Sequence, residues 1–216
     1  VRFQQKDGLS MALMSNEQAI TTVTPANWVP GPRQGFWTYE TYAALPDGSH
    51  YEVVQGVLMM SPAPEPAHQG VIGLIYRYLS DRIFSTRRGL VFTGPLDVVF
   101  SAQMVVQPDV LVLLVEHLGR LQKKRIIGAP DLAVEVISPG SITYDRLVKY
   151  SIYERAGVPE YWLVNLEEQT IEVFVLEEGT YRSLGVFQGE QTVPSRIVPG
   201  IAVPVAQFFD WTGGLL

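Results

Sequence analysis

The sequence predicts an α/β protein in which a mixed central β-sheet is flanked by helices on both faces. Three observations carry that expectation. Apolar runs with strand character recur from Tyr51 to Phe187. Two long stretches with helical period, 68–84 and 141–156, lie between them, and the order along the chain is helix, strands, helix, strands, helix, strands. With 216 residues and 47% hydrophobic content the chain has material for one sizeable core, so one main domain is expected.

Residues 1–36 contain Thr21-Thr22-Val23-Thr24-Pro25 and Pro30-Gly31-Pro32 without a sustained period, and read as a loosely attached extension to a domain over 37–216. A short helix over 38–45 opens on Thr38, with Thr41 three positions on, and stops at Pro46-Asp47-Gly48. Residues 51–60 alternate as a strand with Gly56 at a bend or tight hairpin, which places Glu52 on the side of Val54, Leu58 and Met60. After Pro62-Ala63-Pro64-Glu65-Pro66, residues 68–84 align Val71, Ile72, Ile75, Leu79 and Ile83 on one helical stripe. Strands are expected at 90–93 and 96–100, then in the apolar runs 107–115 and 131–137, with a polar loop over 119–129 between those runs. Residues 141–156 form an amphipathic helix that turns Tyr144, Leu147, Val148 and Ile152 inward and is stopped by Gly157 and Pro159. Further strands follow at 161–165, 171–176 and 181–187, and a short helix closes the pattern at 204–209.

Composition narrows the chemistry. There is no cysteine, and His50, His68 and His117 are too scattered for a histidine-rich zinc centre, so any metal is expected to be bound by oxygen. No stretch has the length of a membrane span and the first residues lack a secretory signal, so a soluble cytoplasmic protein is expected. A formal charge of −6 argues mildly against a broad nucleic-acid surface, although Arg87-Arg88 and Lys123-Lys124-Arg125 offer local basic clusters; as ordinary solvated loops they need no such role.

The two runs 107–115 and 131–137 each carry a carboxylate where a buried strand should have none, Asp109 and Glu135. An ionised group on a core strand is costly unless it is paired, protonated or bound to a cation. On a period of two, Asp109 falls with Leu111, Leu113 and Val115, and Glu135 with Ala133 and Ile137, so adjacent strands would let the acids converge. Two carboxylates with a backbone carbonyl such as that of Val136 suit Mg²⁺, which keeps several waters of its own. Lys149 borders the buried face of its helix and Glu52 faces inward, completing three carboxylates and one ammonium. Such a set binds a divalent ion, orients a water and stabilises charge developing on a phosphodiester.

Tyr51-Glu52, Pro108-Asp109-Val110, Glu135-Val136-Ile137-Ser138-Pro139, Tyr144-Asp145-Arg146 followed by Lys149, and Gly157-Val158-Pro159-Glu160-Tyr161-Trp162-Leu163-Val164 resemble, in this order, the motifs of the Uma-two family of bacterial proteins assigned as endonucleases. That family belongs to the PD-(D/E)XK, or restriction-endonuclease-like, superfamily, and the resemblance spans roughly Thr38 to Trp211. It implies a restriction-endonuclease-like fold and Mg²⁺-dependent phosphodiester hydrolysis, with Mn²⁺ as a substitute, Asp109 and Glu135 as metal ligands, Glu52 as the early acid and Lys149 as the lysine. The superfamily pattern places a lysine two residues after the second acid; this chain has Ile137 there, and Lys149 from the following helix takes the part, as is usual in this branch.

Plainer structural expectations stand beside these. Asp109 suits a strand entry held by backbone N–H groups of a turn, Glu135 a buried ion pair with Lys149 or an arginine, Lys149 an i, i+4 pair with Asp145, and Glu52 a surface position. His68 and Asp145 are supporting residues of the site, with capping or packing as the alternative for His68. Tyr144, Tyr153, Tyr161 and Trp162 read as packing. The expected function is a Mg²⁺-dependent endonuclease acting on DNA as a homodimer, the dimer resting on superfamily habit and on the aromatic-rich C-terminal half. The alternatives are a nuclease-fold binding or assembly module and a metal-dependent small-molecule phosphoesterase.

Overall fold

The computed structural model describes residues 22–46, 51–137 and 140–215. In chain order, β1 (Thr24–Pro25) precedes α1 (Tyr39–Ala43), the hairpin β2 (Tyr51–Val54) and β3 (Val57–Met60), and the long helix α2 (Pro66–Ser85). Then come β4 (Gly89–Thr93), β5 (Asp97–Ser101), β6 (Met104–Val106), β7 (Val110–Leu114), a 3₁₀ turn over Val115–Arg120, β8 (Arg125–Ile127) and β9 (Leu132–Ile137). A π-helical segment, Tyr144–Lys149, runs directly into α3 (Tyr150–Ala156), followed by β10 (Glu160–Asn165), β11 (Thr170–Glu177), β12 (Thr180–Gln188) and α4 (Val205–Phe209).

The fold class is mixed α/β as expected, but the strands form two six-stranded sheets instead of one. The first has the order β1-β3-β2-β6-β5-β8 and the second β12-β11-β10-β9-β7-β4. Each is mostly antiparallel with one parallel pair, β5 with β8 and β9 with β10. Burial explains the layering. Val110 and Val112 of β7 and Leu132, Val134 and Val136 of β9 meet the stripe Val71, Ile72, Ile75, Leu79 and Ile83 of α2, together with Phe208 and Phe209 of α4. On the opposite face, Leu111, Leu113, Ala133 and Ile137 meet Ile152 and Tyr153 of α3 and Val98, Val106 and Ile126 of the first sheet. The first sheet turns Val53, Leu58, Val99 and Val105 the other way, onto Trp37, Tyr42 and Ala26. A fully buried Val, Leu or Ile contributes about 1.5–3 kcal/mol, so strands apolar on both faces need cover on both, and two stacked sheets provide it.

Local chemistry accounts for the element ends. Thr38 caps α1 in a reciprocal box, its N–H donating to Thr41 Oγ1 (2.9 Å) while Thr41 N–H donates to Thr38 Oγ1 (3.3 Å). The expected stop at Asp47 and Gly48 lies outside the described residues. Pro66 starts α2, where its missing N–H costs nothing. The β2–β3 turn is Gln55-Gly56, both with positive φ (51° and 74°), and a Cβ at Gly56 would stand 2.4 Å from the Gly35 carbonyl oxygen. Residues 22–36, expected to be loosely attached, are tied to the first sheet: Thr24 and Pro25 pair with Met60 and Met59, Ala26 N–H donates to Leu58 O (2.8 Å), and Gln34 Oε1 accepts from Leu58 N–H (2.8 Å). Residues 1–21 lie outside the described ones. Three short strands do not show in the sequence pattern, β1, β6 and β8, the last inside the stretch expected to be a polar loop. The aromatic-rich C-terminal half gives Tyr161, Trp162, Phe174 and Tyr181 to the chain's own core.

Candidate active site

β7 and β9 are adjacent and antiparallel, with Val110 opposite Val134 and Leu111 opposite Ala133. Continuing that register by one residue sets Asp109 opposite Glu135, on the face shared with Leu111 and Ala133. At this end the ladder closes through a side chain: Val136 N–H donates to Asp109 Oδ2 at 2.8 Å. The plain expectation of a strand-entry residue holding a backbone N–H therefore describes one oxygen of Asp109 correctly.

The helix after β9 brings the cation. Lys149 Nζ donates to Glu135 Oε1 at 3.0 Å, lies 3.1 Å from Glu52 Oε1, and stands 3.7 Å from Asp145 Oδ1 one turn back. Glu52, Glu135, Asp145 and Lys149 are all buried. The π-helical turn makes this possible, because its extra residue rotates Tyr144, Asp145 and Lys149 inward together. It also turns Leu147 out, 64% exposed, against the expectation of a buried Leu147 drawn from a regular helical period.

Glu52 comes from the other sheet. Its expected face is corrected by the hairpin: Glu52 pairs with Met59 and Val54 with Val57, whereas Leu58 pairs with Val53 and Met60 with Tyr51 on the opposite face. The two-residue turn shifts the alternation by one, which an unbroken count along 51–60 misses. Both oxygens of Glu52 are engaged. Oε1 accepts from Gln107 N–H (2.7 Å) beside Lys149, and Oε2 accepts from the Tyr144 hydroxyl (3.0 Å). Gln107 lies where the chain crosses from β6 to β7, and its side-chain amide donates to Asp97 Oδ1 (2.9 Å) and to the Tyr42 hydroxyl (3.0 Å), anchoring the crossing.

Glu135 is held differently. The Tyr153 hydroxyl and Lys149 Nζ both donate to its Oε1. Among the described residues, no donor meets Glu135 Oε2 or Asp109 Oδ1. Tyr144 and Tyr153, expected to serve packing alone, thus donate hydrogen bonds to the acids. The signal available in the sequence was the spacing of Asp145, Lys149 and Tyr153, four residues apart each time.

His68, in the first turn of α2, closes the open side. Its Nε2 lies 2.7 Å from the Val136 carbonyl oxygen and 3.4 Å from Asp109 Oδ2. A carbonyl only accepts, so Nε2 carries the hydrogen. Among the described residues His68 Nδ1 is buried without a partner. Asp109 and His68 have side chains 23% and 14% exposed, and they are the most accessible members of the set.

Electrostatics follow from one imbalance: three carboxylates surround one ammonium, with Asp109 close by. Burial pushes the Glu135 carboxyl well up from the usual range, against the pull of Lys149, and the neighbouring Asp109 and Asp145 add to the rise. Burial likewise lifts Asp145 to about 6, again against Lys149. Burial would pull Lys149 down, but Glu135 and Glu52 outweigh it and hold the ammonium well above its ordinary value. Tyr144 and Tyr153 are raised by burial and then by Glu52 and Glu135 respectively, so both stay neutral donors. For His68 the hydrogen bond and charge of Asp109 overcome burial and leave it raised. Glu135 and Asp145 hold their protons because they are buried, and the neighbouring carboxylates add to the effect.

A cation is what such a set is short of. Among the described residues no three His, Asp or Glu side chains are grouped to hold an ion by themselves. What the chain offers is the two carboxylates Asp109 and Glu135 and the Val136 carbonyl, an all-oxygen set that fits Mg²⁺, which takes one or two protein carboxylates and keeps several waters. The hydrogen bond from His68 occupies one lone pair of that carbonyl and leaves the other.

Comparison with known proteins agrees with this architecture. A family model described as "Uma2: Putative restriction endonuclease" matches residues 39–206. A solved structure from Anabaena variabilis, described as "a putative nuclease belonging to DUF820", superposes with a TM-score of 0.69 at 20% identity, covering 81% of this chain and 98% of that one. At that identity the likeness shows the shared fold. No curated protein matches the chain. Among the described residues no helix is long and apolar enough to cross a membrane.

Proposed function

The chain belongs to the Uma2 family, whose description is that of a restriction endonuclease, and from that membership and the carboxylates at the β7–β9 ladder end we propose that it is a Mg²⁺-dependent endonuclease that hydrolyses phosphodiester bonds in DNA. The observation that carries this reading is the register that sets Asp109 opposite Glu135, beside a buried surplus of negative charge.

Asp109, Glu135 and the Val136 carbonyl would hold the ion, with Mn²⁺ able to stand in for Mg²⁺. When bound it supplies Lewis-acid stabilisation of the phosphoryl oxygens and a more acidic water. The chain's own residues do the rest. Lys149 stays protonated throughout, so it does not take the proton of an attacking water; its fixed positive charge opposes the charge that develops at phosphorus. Glu52 and Asp145 hold that ammonium in place. His68 ties the Val136 carbonyl and borders Asp109. Burial of the glutamates and the lysine excludes bulk water and strengthens each of these interactions.

The test is cleavage of plasmid, linear and branched DNA with Mg²⁺ or Mn²⁺ against EDTA, by the wild type, Asp109→Asn and Glu135→Gln. We expect metal-dependent cutting that falls at least ~100-fold in both variants, the scale of losing a positioned charge at a reacting centre. If both variants keep metal binding and cutting, the site is wrong. Metal binding without cutting of any DNA turns the reading towards a small-molecule phosphoesterase or an assembly module. A homodimer belongs to the same proposal, and sedimentation as a monomer at working concentration removes it.

A further inference from the structure

Glu52 and Glu135 share one lysine yet are held in different ways, and the difference comes from two tyrosines. Glu52 is engaged at both oxygens: Gln107 N–H donates to Oε1, which also lies 3.1 Å from Lys149 Nζ, and the Tyr144 hydroxyl donates to Oε2. Among the described residues, Glu135 receives its donors, the Tyr153 hydroxyl and Lys149, at Oε1. A carboxylate oxygen that already accepts a hydrogen bond offers a cation one remaining lone pair at most, whereas an oxygen without a donor offers both. We propose that Tyr153 is a positioning residue that, by donating to Oε1, keeps the other oxygen of Glu135 for the cation, while Tyr144 orients Glu52 as a counter-ion of Lys149 and not a ligand.

Packing holds the Tyr153 hydroxyl in its place. The side chain is fully buried, with its ring edge-on to Phe100 (centroids 6.2 Å apart) and tilted against Tyr161 (5.1 Å). The hydroxyl therefore cannot swing from Oε1 to Oε2 without displacing core aromatics. Partners that orient a ligating carboxylate in this way change metal affinity or activity by about 10–100-fold when removed.

This inference rests on the cation site proposed above, and the measurement separates the two. Mn²⁺ binding to the full chain without DNA is followed by calorimetry, beside steady-state cleavage. Tyr153→Phe, which keeps the packed ring, is expected to weaken Mn²⁺ binding and lower kcat by about 10–100-fold, with KM for DNA within about twofold. Tyr144→Phe is expected to leave Mn²⁺ affinity within about threefold, the spread of ordinary context effects. Tyr153→4-aminophenylalanine restores an N–H donor and is expected to recover most of the affinity, which a purely structural role would not produce. Mn²⁺ binding by Tyr153→Phe within twofold of wild type overturns the proposal, as does an equal loss in Tyr144→Phe or a folded 4-amino variant that fails to recover. If Asp109→Asn abolishes Mn²⁺ binding while Tyr153→Phe stays within twofold of wild type, only the positioning role falls. Unchanged binding in Asp109→Asn removes the cation site and this inference with it.

Discussion

Asp145 shows how far one residue's environment departs from its sequence context. On the sequence it is an i, i+4 partner for Lys149, worth a few tenths of a kcal/mol on an exposed helix. In the folded chain it is buried, accepts a hydrogen bond from Ser141, and is lifted from 3.8 to about 6 by burial. Between those values the native state keeps a proton that the unfolded chain has released. Its contribution to stability is thus complete below pH 3.8 and is lost as pH rises through about 6. Asp145→Asn should remove that loss: in EDTA, urea denaturation should find the variant gaining on wild type by on the order of 2 kcal/mol between pH 4 and pH 7.5, at about 1.4 kcal/mol per unit. An equal difference at both pH values would contradict the buried, proton-retaining aspartate. Residue identities were legible here to the extent that buried charge on apolar strands is anomalous, as with Asp109 and Glu135. The tyrosine hydroxyls were not, because a tyrosine in a core is explained by its ring alone until its hydroxyl is seen against a carboxylate.

At the scale of elements, period and punctuation were sufficient wherever a segment was long. The stripe from Val71 to Ile83 is the buried face of α2, and the stop of α3 at Gly157 is a left-handed cap with φ 78°. A Cβ at Gly157 meets nothing within 4 Å, so Gly157→Ala isolates the backbone strain. It should cost about 1 kcal/mol by chemical denaturation, with Mn²⁺ affinity unchanged; no loss of stability would mean that the cap relaxes freely. The shortest strands escaped. β6 and β8 have three residues each, too few for a two-residue period to register, and Arg125 at the head of β8 was legible only as part of a basic cluster although it lies over the Tyr39 ring at 4.1 Å. The π-helical turn is equally silent in composition, since one inserted residue leaves no mark except which side chains end up inside.

For the whole molecule, the site is a seam. Glu52 belongs to one sheet, Asp109 and Glu135 to the other, and Lys149 of the intervening helix joins them. A cation that relieves the surplus charge binds the native state alone, so it should stabilise the whole chain: Mn²⁺ at 100 times its Kd adds about 2.7 kcal/mol, on the order of 5–10 °C in Tm for a chain of this size. Asp109→Asn should show no such rise, and an equal rise in both proteins would place the ion elsewhere. By itself the sequence determined the α/β class, the long helices and most strands, and the residues out of place in a core, because those follow from local period and from the cost of burying charge. Only the tertiary structure decided that the strands divide into two stacked sheets, that a two-residue hairpin puts Glu52 on the other face from Leu58, and that Tyr144 and Tyr153 reach the acids. Those depend on which apolar faces find each other across the fold, and strands with two apolar faces satisfy the same local pattern whichever sheet they join.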